Sequence, residues 1–284
     1  MTITTTVESR EALQLIAAEA AKGELVFPTH AAVTVRIRRA LDDPDIHVAA
    51  AARLIQADPV LSARVVAVAN SSAFSPAGGA IADVRSAVSR LGFRTLRSLA
   101  TAVLVRQMGG APIAAAHRDL AAKLWEHTAH VAALSQVLAR RVTRLDPEIA
   151  MFAGIVHEVG GFYLLSRAAD FPGLLDGDPA EWDSEGEFAV GRAVLHALSV
   201  PEQVSRAVEH FWQGFLAMPP RTLGDTLLLA DDLAPVASPF HLLKDSNGEE
   251  VPSSIDMVIG AETLTAILEE SAAEVESLAT ALRL

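Results

Sequence analysis

The chain has no cysteine. Disulfides and thiolate metal sites are therefore excluded, which fits a reducing, cytoplasmic setting. Aromatic residues make up only 5% of the 284 positions, with one tyrosine. β-branched and aromatic runs are also scarce, so little in the sequence favours strands. Basic residues are in deficit: 23 Lys and Arg face 35 Asp and Glu, for a net charge of -12. A general nucleic-acid binder displaces counterions with a basic surface, and this balance disfavours that class. No apolar run approaches the roughly 20 uninterrupted residues that span a bilayer; Arg, Asp or His interrupts each one. The first ten residues are polar and threonine-rich, unlike a signal peptide. There is no Gly-rich Lys-Ser/Thr nucleotide loop and no Gly-x-Ser-x-Gly nucleophile turn. Gly109 and Gly110 follow no strand and read as a breaker.

What is present is alanine and leucine in a composition 51% apolar and 20% charged. These are the strongest helix formers, and the expectation is an all-α fold with a substantial core. Leu13, Ile16, Ala17 and Ala20 share one face of a helix over Glu8–Ala21, closed by Gly23. Further helices are expected to Arg39, over His47–Gln56, and from Asp58-Pro59 to Asn70, with aspartate as the cap and proline in the first turn. Asp83 caps another, interrupted at Gly92, and a further helix runs over Thr95–Met108. The breaker Gly109-Gly110-Ala111-Pro112 marks a subdomain boundary. Beyond it come a long helix over Ala114–Arg141 and one over Pro147–His157. An irregular connection or lid follows at 170–186. Helices are then expected over 187–198, 201–215 and 221–233, and a polar loop at 244–254. The last helix carries Leu264, Ile267, Leu268, Val275, Leu278 and Leu282 at helical spacing. Its stripe is expected to pack on its own domain, with a partner or dimer contact as the alternative. The organisation reads as an N-terminal helix (1–24), a first helical subdomain (25–112), a second (113–240), and a loop with terminal helix (241–284).

Two blocks carry a family resemblance. The first is Asp58-Pro59-Val60-Leu61, then Ala69-Asn70-Ser71, then Ala87-Val88-Ser89-Arg90-Leu91-Gly92 through Leu96. In order and spacing it resembles the signature of HDOD domains. The second is Trp125-Glu126-His127, Met151 through His157-Glu158-Val159-Gly160, Pro201 through Glu209-His210, and Leu229-Ala230-Asp231. It is similar to the framework HDOD domains share with HD phosphohydrolases and HD-GYP phosphodiesterases. Together the blocks span about 25–235. The resemblance implies a multi-helix bundle in two packed helical subdomains, serving bacterial signal transduction.

In HD hydrolases a His, a His-Asp pair and a distal Asp hold one or two divalent metals that activate water. Here the resemblance maps that cluster onto His127, His157, Glu158, His210 and Asp231. Three positions depart from it. The pair is His157-Glu158, one methylene longer. Gly161 stands where HD-GYP proteins carry a phosphate-binding lysine. Glu187 takes a histidine position. The expectation is therefore a non-catalytic module with no bound cofactor, its residual cluster serving as a metal-free network of His127, His157, Glu158 and Asp231. The alternative is a phosphohydrolase or phosphodiesterase using Mn, Fe or Zn. Such a module would act by contact with signalling proteins, among them cyclic-dinucleotide or two-component components, and could form a homodimer. Arg85, Arg90, Arg94 and Arg97 form a candidate basic docking patch for a phosphate or acidic partner; pairing with surface carboxylates is the plainer reading.

Overall fold

The structure, a computed structural model, describes residues 9–26, 32–76, 79–109, 117–175, 188–240, 258–259 and 262–283. It is all-α. The N-terminal elements are α1 (Ser9–Ala21), α2 (Ala32–Ala40), α3 (Val48–Gln56), α4 (Pro59–Asn70) and α5 (Val84–Met108). Then come α6 (Arg118–Leu138), α7 (Pro147–Val156), α8 (Val159–Arg167), α9 (Arg192–Ala197), α10 (Glu202–Gln213), α11 (Leu223–Asp232) and α12 (Leu264–Arg283). A two-residue antiparallel pairing, Val258–Ile259 with Glu262–Thr263, precedes α12.

Helix starts follow the sequence signals. Asp58, Asp83 and Asp146 each accept hydrogen bonds from first-turn amides, satisfying donors a helix leaves without an internal partner. Thr222 and Asp225 close a reciprocal capping box on α11. Gly92, at φ 73° and ψ 166°, is non-helical and divides α5 into two helices at a kink, the interruption expected there; glycine adopts such a conformation without steric cost.

Three features depart from the sequence reading. Helix α8 follows α7 almost directly; Gly160 and Gly161 lower its propensity, and burial of Phe162, Tyr163 and Leu165 offsets that. Helix α6 ends in a wider π turn over Ala139–Thr143 before α7 begins. The short strand pairing has no periodic signal. The start of the long helix at Ala114, most of the breaker at 110–112, much of the 170–186 connection, Glu187 and the 244–254 loop lie outside the described residues.

The buried apolar residues form one contiguous cluster from Ala12 on α1 to Leu282 on α12. Helix α5 runs through it, packing on α2, α3 and α4 on one side and on α7 and α8 on the other. The stretch Pro147–Arg167 is long and apolar enough to cross a membrane, but it is broken at His157-Glu158 and lies mostly buried in this core. The stripe of α12 lies against α6 and α4, with Leu264, Ile267, Leu278 and Leu282 buried.

The closest helix pair positions the site. A Cβ at Gly154 of α7 would stand 2.5 Å from the Ala132 Cα of α6. Glycine alone permits that approach, which brings the end of α7 beside the middle of α6.

Candidate functional site

His127 projects from α6, His157 follows the last residue of α7, Glu158 precedes α8, and Asp231 lies in the last turn of α11. One ligand atom from each falls within 4.8 Å of all the others. His127 Nε2 lies 3.2 Å from His157 Nε2 and 3.0 Å from Asp231 Oδ1. Glu158 Oε1 is 3.9 Å from His127 Nε2, and Asp231 Oδ1 is 3.7 Å from His157 Nε2. Both histidines and Glu158 are buried; Asp231 is partly open, at 20% of its side chain.

The backbone fixes the tautomers. His127 Nδ1 is 2.8 Å from the Val236 carbonyl, and His157 Nδ1 is 2.7 Å from the Gly154 carbonyl. A carbonyl only accepts, so both Nδ1 atoms carry hydrogen and both neutral rings present a lone pair at Nε2. Two lone pairs 3.2 Å apart, with a carboxylate oxygen alongside, repel. A positive charge between them removes the conflict. In the metal-free protein a proton on His127 Nε2, donated to Asp231, would supply it. Burial acts to lower the His127 pKa, but the Asp231 hydrogen bond and the charges of Glu158 and Asp231 outweigh it, and the net shift is upward.

A metal ion would meet the same need. Two imidazole nitrogens and two carboxylates suit a borderline divalent ion such as zinc, manganese or iron. Ligands about 2.1 Å from one tetrahedral ion lie about 3.4 Å apart; the four separations given above, 3.0 to 3.9 Å, bracket that value, and the whole set lies within 4.8 Å. The four residues fit one ion.

His210 does not join them. Its Nε2 is 3.0 Å from the Phe215 carbonyl and 3.4 Å from Asp225, and its ring packs on Gly224. Successive helix residues point about 100° apart. The next residue, Phe211, is the one that meets the cluster, edge-on to His157 with ring centroids 5.2 Å apart.

The four arginines do not form one patch either. Arg90 donates to the carbonyls of Ala69 and Gly79. Arg85 stays beside Asp83, whose pKa is lowered chiefly by its hydrogen bonds to Ser86. Arg94 pairs with Asp146, while Arg97 donates to the Leu41 carbonyl and lies 3.8 Å from Asp42. Among the described residues, Arg94 and Arg97 share a cavity of about 270 Å³ with Arg38, Glu148, Phe152 and Gln203.

Other contributors carried little sequence signal. Val236 and Gly154 act through backbone carbonyls, which no residue type encodes. Phe240 covers Gly161: a Cβ there would lie 3.0 Å from its ring. It is an isolated aromatic outside any periodic stretch.

The HDOD domain profile matches residues 27–176. The chain belongs to the HDOD family. A candidate metal-dependent phosphohydrolase from Shewanella amazonensis SB2B is similar over 96% of this chain and 99% of its own, with 20% identity and a TM-score of 0.69. An HDOD domain protein of unknown function from Geobacter sulfurreducens matches over 96% and 98%, at 21% identity and a TM-score of 0.59. A candidate signal transduction protein from Marinobacter aquaeolei VT8 matches over 100% of this chain and 68% of its own, at 18% identity and a TM-score of 0.53. At such identities the likeness establishes the HDOD and HD-like fold. No curated protein matches the chain.

Proposed function

We propose that this HDOD protein is a regulatory module of signal transduction that works by binding and not by hydrolysis. The observation that carries this reading is the convergence of all four ligand atoms within 4.8 Å. Two-metal hydrolytic sites hold their ions about 3.5–4 Å apart, each with its own ligand set. Four donors this close favour one cation over two, and the longer Glu158 together with Gly161 in the lysine position weighs against hydrolysis. His127, His157, Glu158 and Asp231 would hold it, and it would supply charge compensation that ties α6, α7 and α11 together.

The surroundings of Gly161 support the same reading. The Phe240 ring lies against Gly161, so a lysine at that position, the phosphate-binding residue of HD-GYP proteins, would crowd it, with Cβ 3.0 Å from the ring. Val236, from the same segment, holds His127. The likeness to a candidate signal transduction protein agrees with this role. The module acts in the cytoplasm on signalling proteins, including cyclic-dinucleotide or two-component components, alone or as a homodimer.

Metal content and turnover test the proposal together. Protein purified without a histidine tag is analysed by mass spectrometry, then assayed with nucleotides and cyclic dinucleotides in the presence of Mn²⁺. At most one ion per chain and no hydrolysis are expected. Metal-dependent turnover abolished by His157→Ala, with one ion per chain or two, would establish the phosphohydrolase alternative.

A further inference from the structure

Arg64 stands in the middle of α4, in line with the core residues Leu61, Val65 and Val68. Its side chain is fully buried, at 0% exposure. None of its Nε, Nη1 and Nη2 atoms has a hydrogen-bond partner. A guanidinium carries five donors and a permanent charge, and buried arginines are otherwise paired. Its one close polar contact is the face of Trp125, 5.8 Å from the ring centroid. The nearest charge is Arg106, of the same sign; burial first, and this repulsion second, lower the Arg64 pKa to about 9. Burial also lowers the pKa of Arg106. Among the described residues no carboxylate pairs with either arginine.

The end of α12 packs beside these residues. Arg106 Nη1 donates to the Arg283 carbonyl at 2.7 Å, and Trp125 Nε1 donates to the Leu282 carbonyl at 3.2 Å. These bonds use one donor of Arg106 and none of Arg64. The partial negative charge of a helix C-terminus faces the cations, but it is about half an elementary charge against two. Helix ends open more readily than helix middles, so the last turn of α12 offers an entry.

We propose that Arg64 and Arg106, over the face of Trp125, form a receptor for a small tetrahedral oxyanion of the phosphate type. Several acceptor oxygens in a compact anion match two guanidiniums, which bind oxyanions through paired, charge-assisted hydrogen bonds. The site is separate from the histidine cluster. Trp125 and His127 are two residues apart on α6 and point to opposite sides of it.

The test uses the full chain at pH 7.5, titrated with inorganic phosphate at constant ionic strength and followed by melting temperature and calorimetry. Wild type is expected to gain about 5 °C once phosphate exceeds its dissociation constant a hundredfold. Arg64→Met should lose this response while melting no lower than phosphate-free wild type, because methionine removes a buried charge and retains apolar packing. If Arg64→Met fails to fold, Arg106→Met provides the same reading, with phosphate affinity expected to drop at least tenfold. An equal phosphate response in wild type and in the variants would overturn the receptor. So would no response in wild type, which would leave Arg64 a structural partner of Trp125. A parallel titration with AMP separates the sources: free phosphate if AMP binds no tighter, the phosphate of a larger metabolite if it does.

Discussion

His127 Nε2 and His157 Nε2 face each other at 3.2 Å, with each ring's other nitrogen committed to a backbone carbonyl. That pairing makes a positive charge part of the structure, and its consequences can be measured. The folded-state pKa of His127 lies above its ordinary value near 6.5. Its contribution to stability is therefore fully present below pH 6.5 and is lost as pH rises through the elevated folded value. In protein stripped of metal with EDTA, urea midpoints should fall over that window. Asp231→Asn should shift the His127 NMR titration downward and flatten the pH dependence. A His127 titration unchanged in Asp231→Asn would refute the assignment.

Gly154 lets α7 touch α6, so Gly154→Ala is expected to be severe. The added methyl would sit 2.5 Å from the Ala132 Cα and 2.8 Å from its nitrogen, both rigid backbone. Separating the two helices should cost at least about 3 kcal/mol, the upper range for overpacked cores. It should also part His157 from His127, so zinc affinity should weaken with stability. A variant with wild-type melting and metal binding would show that this contact does not position the site.

The helices were legible because their signals are local. Asp-Pro at 58–59 and Asp83 announce caps that the structure makes. Leu13, Ile16, Ala17 and Ala20 are buried as their spacing implies. The HDOD framework aligned His127, His157, Glu158 and Asp231 before any coordinates did, and the structure brings those four together. The framework aligned His210 with them too, and there the structure departs, because a motif gives order along the chain while the helix face decides direction: Phe211 meets His157 instead. The arginines illustrate the same limit. All four lie on α5, yet Arg90 turns back to carbonyls near the Asn70 turn while Arg94 and Arg97 reach a cavity beside α7 and α10. Backbone contributors such as the Val236 carbonyl carry no residue-type signal at all.

Installing a lysine at position 161 should not create a hydrolase. Gly161 lies against the Phe240 ring, and a lysine Cβ would stand 3.0 Å from it, so the buried aromatic would have to give way to admit the stem. Gly161→Lys is expected to lose about 2 kcal/mol of stability through overpacking, with no turnover of cyclic dinucleotides. Gly161→Lys combined with Phe240→Ala should relieve the clash but expose apolar surface, again without hydrolysis, since the donors still meet at one point. Metal-dependent turnover in either variant would show that only the missing lysine separates this protein from catalysis.

The terminal helix tests where its docking energy resides. Arg140 bonds Glu274 with two nitrogens and Arg141 reaches Glu270, but these pairs lie at the surface. Exposed pairs of this kind contribute about 0.2–1 kcal/mol each and weaken with salt. Leu278, by contrast, is 1% exposed between α12 and its neighbours. Truncating a leucine at such a place costs about 2–5 kcal/mol through lost burial and the cavity left behind. Leu278→Ala should therefore lower the urea midpoint several times more than Arg140→Ala, and added NaCl should change the second effect but not the first. The Leu278 variant should also exchange amide hydrogens faster along α12, because the helix would be held mainly by charge pairs that water competes for. An Arg140 variant as damaging as the Leu278 variant would mean that ion pairing, and not the apolar stripe, holds this helix on the fold.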